Sequence, residues 1–468
     1  MLFSSIPFLF YFLPCVFVLY FLVPMRWKNT VLLLASLFFY AWGEPKFVVF
    51  MLASIVQGYV LARLVEKYRA DRGRAKLFLT LSLVFSLGLL GYCKYADFFL
   101  SGFNALTGLH IPLLRVALPI GISFYTFQIL SYVVDVYRGD VKAQRNFIDL
   151  AAYVAMFPQL IAGPIVRYSD IASQLEHRTH PLADVAAGAR RFVLGLGKKV
   201  LLANVFYELI TTFKASGDRS VLFYWLYAAA CVLNIYFDFS GYSDMAIGLG
   251  RIFGFHYLEN FDYPYISASI TEFWRRWHMS LGSWFRDYVY IPLGGSRRGT
   301  ARLAVNTMVV FLLSGLWHGA ALHFVVWGGV HGALLLLEKA LTPCGGKHKA
   351  RTGTAVCLRH AYTFSLVCIA WVFFRAASVS DALLLLSRLP VDWSLSTLHT
   401  TLLSIGIQPV AELVLGALCL HLLPETSSAA PSPRSVLAFC LLALTVVAAW
   451  FPTLHTGTTN AFISVSYT

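Results

Sequence analysis

Charge is scarce in this chain: Asp, Glu, Lys and Arg make up 13% of its 468 residues, against about a quarter in an ordinary soluble domain. Cysteine offers no framework either. The eight cysteines, at 15, 93, 231, 344, 357, 368, 420 and 440, form no C-x-x-C pair and mostly lie in apolar runs. Neither a disulfide scaffold nor a zinc site is indicated, and the thiols read as core fillers. No internal repeat is found, so the paired halves that mark many transporters are missing. The opening MLFSSIPFLFYFLPCVFVLY lacks a basic n-region and an A-x-A-like cleavage site, which argues against a removed signal peptide. Pro14 before Cys15 argues against a lipoprotein site.

Apolar sequence is abundant. Hydrophobic residues are 58% of the chain and aromatics 16%, and the mean hydropathy is +0.68. Apolar runs recur at 5–24, 29–42, 46–62, 77–93, 115–137, 147–163, 192–213, 221–237, 303–316, 320–338, 355–374, 401–423 and 435–452. A helix needs about 20 apolar residues to span a bilayer, so the shorter runs read as tilted, broken or re-entrant. The expectation is an all-α, polytopic membrane protein with roughly ten to twelve crossings plus re-entrant or interfacial helices. The formal charge of +14 is gathered in short clusters between the runs, Arg63 to Lys76, Arg190 to Lys199, Arg297 to Arg302 and Lys347 to Arg359. That is the positive-inside pattern of cytoplasmic loops, and no nucleic acid is called for. With Arg26, Lys28 and the Arg63 cluster inside, the N-terminus lies outside.

One membrane-embedded domain is expected over 1–468. Residues 1–110 and 355–452 are nearly pure hydrophobic helix, with polar linkers at 342–354 and 427–435. The core at about 115–340 differs. Polar and aromatic residues interrupt its runs, as in LPIGISFYTFQILSYVVDVYRG, FPQLIAGPIVRY and YFDFSGYSDMAIGLG. Gly and Pro at membrane depth free backbone groups that protein or cavity water must satisfy, so a cavity-lining core is predicted.

Within it, Ser269-Ile-Thr-Glu272 matches a capping box and predicts a helix from near Ile270. Phe273, Trp274, Trp277, Leu281, Trp284 and Phe285 then recur at three- and four-residue spacing, giving an aromatic face suited to a membrane interface or to the rim of a re-entrant hairpin, with Glu272 and Arg276 an i, i+4 pair and His278 beside the face. The stretch SGLWHGAALHFVVWGGVHG sets three histidines in apolar sequence. Ionisable groups at that depth are costly, and each is a functional candidate. Treated as one helix, His318 and His323 stand about 140° apart and His318 and His331 about 220°, which disfavours a bis-histidine metal or haem site. Gly315 and Gly319 flank His318 and open its backbone to close approach, so His318 is best placed to meet a ligand, whereas His323 and His331 read as lying near the interface or hydrogen-bonded locally.

Asp238 and Asp244 are about 240° apart on a helix, unlike a shared carboxylate site; Asp238 shares a face with Tyr242, and Ser240 with Asp244. Both aspartates admit structural hydrogen bonding or substrate contact. Gly248, Gly250 and Gly254 lack the spacing of a dinucleotide fingerprint and read as helix packing. The turn Pro292 to Gly299 (PLGGSRRG) carries Arg297 and Arg298 and is able to hold a phosphate or to anchor the chain inside.

Taken together, LPIGISFYTFQILSYVVDVYRG (118–139), FPQLIAGPIVRY (157–168), YFDFSGYSDMAIGLGRIFGF (236–255), NFDYPYISASITEFWRRWHMSLGSWFRDYVYIPLGGSRRG (260–299) and FLLSGLWHGAALHFVVWGGVHG (311–332) make the sequence resemble the membrane-bound O-acyltransferase family. The resemblance covers about half the chain and is nearest to the bacterial branch of alginate O-acetylation proteins, related to the membrane protein of teichoic-acid D-alanylation. It implies a fold with a central tunnel, a catalytic histidine at His318 in Trp317-His318-Gly319, and a second family histidine at His278. An imidazole titrating near neutrality is able to take the proton of a hydroxyl attacking a thioester, with no covalent enzyme intermediate. His278, Asn306 or a tryptophan N–H such as that of Trp317 would stabilise the oxyanion or orient His318; sequence does not decide.

The resulting expectation is an O-acyltransferase of the bacterial inner membrane that takes acetyl from a cytosolic thioester, acetyl-CoA or another, as co-substrate, binds no resident cofactor or metal, and delivers the group to an exported polysaccharide or a periplasmic transferase partner. Candidate substrate-binding residues are Asp238, Tyr242, Asn306, Trp317, Arg297 and Arg298. Competing expectations are D-alanyl or other acyl transfer from a carrier protein, a non-enzymatic acyl or glycan transporter, and a scaffold for a soluble enzyme.

Overall fold

The computed structural model describes residues 1–215, 221–341 and 354–388, and every regular element among them is helical. Among the described residues, five helices are long and apolar enough to cross a bilayer: Pro45–Lys67, Arg72–Thr107, Thr300–His318, Leu322–Leu341 and Val356–Arg375. The runs at 401–423 and 435–452, the linker at 427–435 and most of the one at 342–354 lie outside the described residues.

Among the described residues, several other apolar runs are interrupted rather than continuous. The run at 147–163 breaks at Met156 (φ −51°, ψ 113°) into Phe147–Ala155 and Phe157–Leu160. Pro158 sits in the first turn of the second piece, where its missing N–H costs nothing. Residues 150–160 are all buried, which is the condition under which broken helix survives at membrane depth. The run at 192–213 is remodelled by the π-helical segment Lys198–Ala203, set between Leu182–Gly197 and Asn204–Ala215.

The chain forms two compact units. The first, residues 1–196 with 242–258, is built around Ile122–Arg138, whose side chains are almost all buried. Val48–Lys67 and Arg72–Leu90 pack against it, and Gly58 permits this because an added β-carbon there would stand 2.9 Å from Ile129. Arg191 and Asp244 form a buried ion pair at 2.9 Å, so Asp244 serves the packing of this unit. Tyr242 lies here too, stacked on Phe3 at 4.6 Å. Gly248 meets the Gly188 carbonyl and Gly250 the Tyr257 ring, as close-packed helix glycines do.

The second unit holds residues 197–241 and those from 259 onward; the helix Val221–Ile252 contributes residues to both. The centre of the second unit is a hairpin of Thr300–His318 and Leu322–Leu341. A β-carbon at Gly315 would collide with the Phe324 carbonyl, and one at Gly328 with the Phe311 carbonyl, so these two glycines set how closely the arms approach. The first arm ends at His318 because Gly319 is extended (φ −166°, ψ 152°). His318 is therefore on a different helix from His323 and His331, and the angular separations reckoned for one continuous helix do not apply to it. Thr354–Arg375 packs on the second arm, and Trp277, Trp327 and Trp371 bury their rings in the shared core.

Candidate active site

His318 stands at the last helical position of Thr300–His318, half-buried, with rings from three directions around it. Trp317, Trp327 and Phe374 lie at centroid distances of 4.9, 5.2 and 5.1 Å, each nearly perpendicular to the imidazole. Gly315 lets the partner arm come close enough to supply Trp327. An apolar enclosure of this kind strengthens any charge–dipole interaction inside it.

His278 reaches the same neighbourhood by a break in what the periodicity predicts as one helix. The capping signal holds: Ser269 Oγ accepts from Glu272 N at 3.0 Å and Glu272 pairs with Arg276 at 3.0 Å. The Glu272 carboxylate takes the Ala268 N–H at 3.0 Å, one residue earlier than an ideal box, while Glu338 accepts from Ile270 N at 2.8 Å. The helix then stops at Arg276 and restarts as Met279–Phe285. His278 between them is left-handed, φ 45° and ψ 52°. For a non-glycine residue that conformation costs about 1–2 kcal/mol, and the surroundings over-determine it: Asp262 N donates to Arg276 O at 3.0 Å and Met279 N to Asn260 O at 3.0 Å. The aromatic face is also corrected. Phe273, Trp277, Leu281, Trp284 and Phe285 are buried in protein rather than presented to a membrane interface.

The His278 ring is 1% exposed. Its Nδ1 lies 3.0 Å from Asn260 Oδ1, which also accepts the Ser280 hydroxyl at 2.8 Å. A carbonyl oxygen only accepts, so Nδ1 carries the proton and the neutral ring presents its lone pair at Nε2. That Nε2 is buried with no hydrogen-bond partner among the described residues. Phe239 and Trp317 pack on the ring at 4.7 and 5.9 Å. His278 lies outside the five spans; burial first, and then the charge of His318, lower its pKa well below the ordinary histidine value. The two histidines thus feel one another, with Trp317 in ring contact with both.

Asp238 is one residue from Phe239 but is engaged by Lys199 Nζ at 2.6 Å. Asn306 donates to Gly295 O at 2.9 Å and Leu293 O at 3.3 Å, binding the Gly-rich turn rather than a histidine; it is about 18 Å of helical rise from His318. Arg297 and Arg298 are exposed on that turn. Two of the turn's glycine N–H groups are not offered to a phosphate, since Gly294 N donates to Ile291 O and Gly295 N to Tyr290 O. His323 is 3.1 Å from the Phe373 carbonyl, and His331 Nδ1 accepts from Trp274 Nε1 at 3.2 Å, so the partners of both come from distant parts of the chain rather than from their own helix. Asn260, Lys199 and Phe374 escape the sequence reading. Asn260 stands inside the quoted NFDYPY stretch, but nothing in its spacing announces an 18-residue reach to His278.

Comparison with known proteins sets this geometry in a family. The chain is 45% identical over 405 residues, 85% of it and 80% of the relative, to a probable alginate O-acetylase of Azotobacter vinelandii. It is 35% identical to a peptidoglycan O-acetyltransferase of Helicobacter pylori, over 82% of this chain and 78% of that one. A more distant likeness, 30% over 54% of this chain and 68% of the other, is to a teichoic acid D-alanyltransferase of Bacillus subtilis. The model of the membrane-bound O-acyltransferase family matches residues 141–377, which enclose both histidines, Asn260 and Trp317. The chain belongs to the membrane-bound O-acyltransferase family, and it is a membrane acyltransferase.

Proposed function

We propose that the chain is a multi-pass protein of the bacterial inner membrane that transfers acetyl from a cytosolic thioester, acetyl-CoA, to an exported polysaccharide or to a periplasmic transferase that finishes the delivery. The observation that carries this reading is the meeting of His318 and His278 around Trp317 in an aromatic enclosure. The 45% identity to an alginate O-acetylase supports acetyl and a polysaccharide acceptor over D-alanyl transfer, where the identity is 30%. Membership of an acyltransferase family favours chemistry over the transporter and scaffold readings.

In the reaction, His318 takes the proton of the acceptor hydroxyl as its oxygen bonds to the thioester carbonyl carbon. The tetrahedral adduct collapses, the C–S bond breaks, and the departing thiolate recovers the proton from the imidazolium. No covalent enzyme intermediate is formed. His278 works through its Nε2 lone pair, which suits it to accept a hydrogen bond and disqualifies it, while neutral, from donating one to the oxyanion through that atom. Asn306 is occupied by the turn, which leaves the indole N–H of Trp317, the ring that touches both histidines, as the oxyanion donor. The half-burial of His318 is consistent with a passage through which donor and acceptor meet it from opposite faces.

The test is acyl transfer by purified protein in detergent, where no compartments exist, from labelled acetyl-CoA to an alginate-type polysaccharide, with His318→Ala beside the wild type. Loss of transfer by a variant that still accumulates supports the reading. Undiminished acetylation by His318→Ala would overturn it.

A further inference from the structure

We propose that a cleft at the basic end of Val48–Lys67, in the first unit, binds the headgroup of an anionic phospholipid. This goes beyond acyl transfer and does not depend on it.

Val49, Ala53, Val56 and Val60 are exposed and recur at steps of four, three and four, forming one apolar stripe along the helix. Arg63 and Lys67, also exposed, continue the same line. From Val49 to Arg63 the helix rises about 21 Å, more than the roughly 15 Å hydrocarbon depth of one leaflet. The two cations therefore stand at headgroup level when Val56 and Val60 face acyl chains. Many spans end in cations, but here a second segment closes over them. Arg145, from the connection after Ile122–Arg138, lines the same cleft with Tyr59, Val60 and Leu64.

That closure is held in place. Glu66 binds Arg145 Nη2 at 2.9 Å and accepts from Ala143 N at 3.0 Å. The Tyr59 hydroxyl donates to the Arg145 carbonyl at 2.6 Å and accepts from Arg63 Nη1 at 3.0 Å. Arg63 also lies over the Tyr59 ring, 5.4 Å from its centroid. Arg63, Lys67 and Arg145 against Glu66 leave two positive charges beside an apolar floor. The neighbouring Arg69, Arg72, Arg74 and Lys76 put this end on the cytosolic side by the positive-inside rule, where the leaflet is anionic. A free phosphate would match the cations but would have no use for the apolar stripe leading to them.

The experiment is native mass spectrometry of the full chain in detergent with phosphatidylglycerol or phosphatidylcholine of the same acyl chains. The wild type should retain phosphatidylglycerol and not phosphatidylcholine. Arg63→Gln/Arg145→Gln should bind it about 25-fold more weakly, at roughly fivefold per cation, while Lys339→Gln, at the end of a different span, should match the wild type. Arg63→Gln alone leaves the Glu66–Arg145 pair standing and should lose about fivefold, which keeps the test alive if the double variant misfolds. Equal retention of the two lipids, or wild-type retention by the arginine variants, overturns the proposal. Displacement of the lipid by an equal concentration of glycerol phosphate would make the cleft a free-phosphate site and overturn it as well.

Discussion

Asn260 Oδ1 accepts from Nδ1 of His278 at 3.0 Å, and this one contact decides which nitrogen of a buried imidazole carries the proton. Removing the acceptor frees the tautomer. Asn260→Ala is expected to lower kcat about 10- to 100-fold, the range typical of lost orienting partners, with protein accumulation unchanged. Asn260→Asp keeps an acceptor at the same place, so most activity should remain. Its carboxylate favours imidazolium, so His278 would titrate at higher pH and the acid limb of the pH–rate profile should move upward. A profile identical to wild type in Asn260→Asp would show that His278 is not the group being read.

The Asp238–Lys199 pair is nearly buried, at 14% and 8% side-chain exposure, and its contact is 2.6 Å. Taking away one partner of such a pair strands the other charge, typically at about 3–5 kcal/mol, whereas replacing both is far milder. Asp238→Asn should therefore depress the melting temperature and activity together. The double variant Asp238→Leu/Lys199→Met should recover both. Thermal melts and acetylation assays on the same preparations check this; a double variant that is stable yet inactive would instead place Asp238 in contact with substrate.

Gly315, with Gly328, is one of the two close-approach points of the hairpin that carries His318 and Trp327. Gly315→Ala pushes a methyl group into the Phe324 carbonyl and should cost about 1–3 kcal/mol, as overpacking does, with acyl transfer falling because the rings around His318 shift. Gly329→Ala meets only Leu312 at an ordinary 3.6 Å and should be silent. Equal melting temperatures for the two variants would contradict the packing argument.

Much of this was legible in the residues themselves. Hydropathy predicts the five clear spans because a spanning helix must be apolar throughout its length. Ser269 and Glu272 announce a helix start because the signal is local. What escaped was decided by contacts distant along the chain. The periodicity of Phe273 to Phe285 runs unbroken through His278, yet the loop 260–262 captures the backbone on both sides of His278 and splits the helix there. Gly319 ends the first arm, and no angular argument drawn from one continuous helix foresees that. That a run as short as 147–163 is broken is expected from its length, but the place of the break at Met156 is set by distant contacts such as Phe157 N donating to Ser36 Oγ at 3.0 Å.

Arg297 and Arg298 are exposed on the turn preceding Thr300–His318, and the helix places His318 about 27 Å of rise from Thr300. Only a long donor is able to touch both ends, and acetyl-CoA carries its phosphates far from its thioester. With the N–H groups of Gly294 and Gly295 spent on Ile291 and Tyr290, the guanidinium groups are the turn's charged contribution to an anion. Arg297→Gln/Arg298→Gln should then raise KM for acetyl-CoA about tenfold and leave kcat unchanged, the signature of binding made equally in ground and transition states. With acetyl-pantetheine, a thioester that lacks the nucleotide, wild type and variant should behave alike. A KM that stays put with acetyl-CoA, or a kcat that falls with both donors, would remove these arginines from donor binding and leave them as anchors of the membrane's basic face.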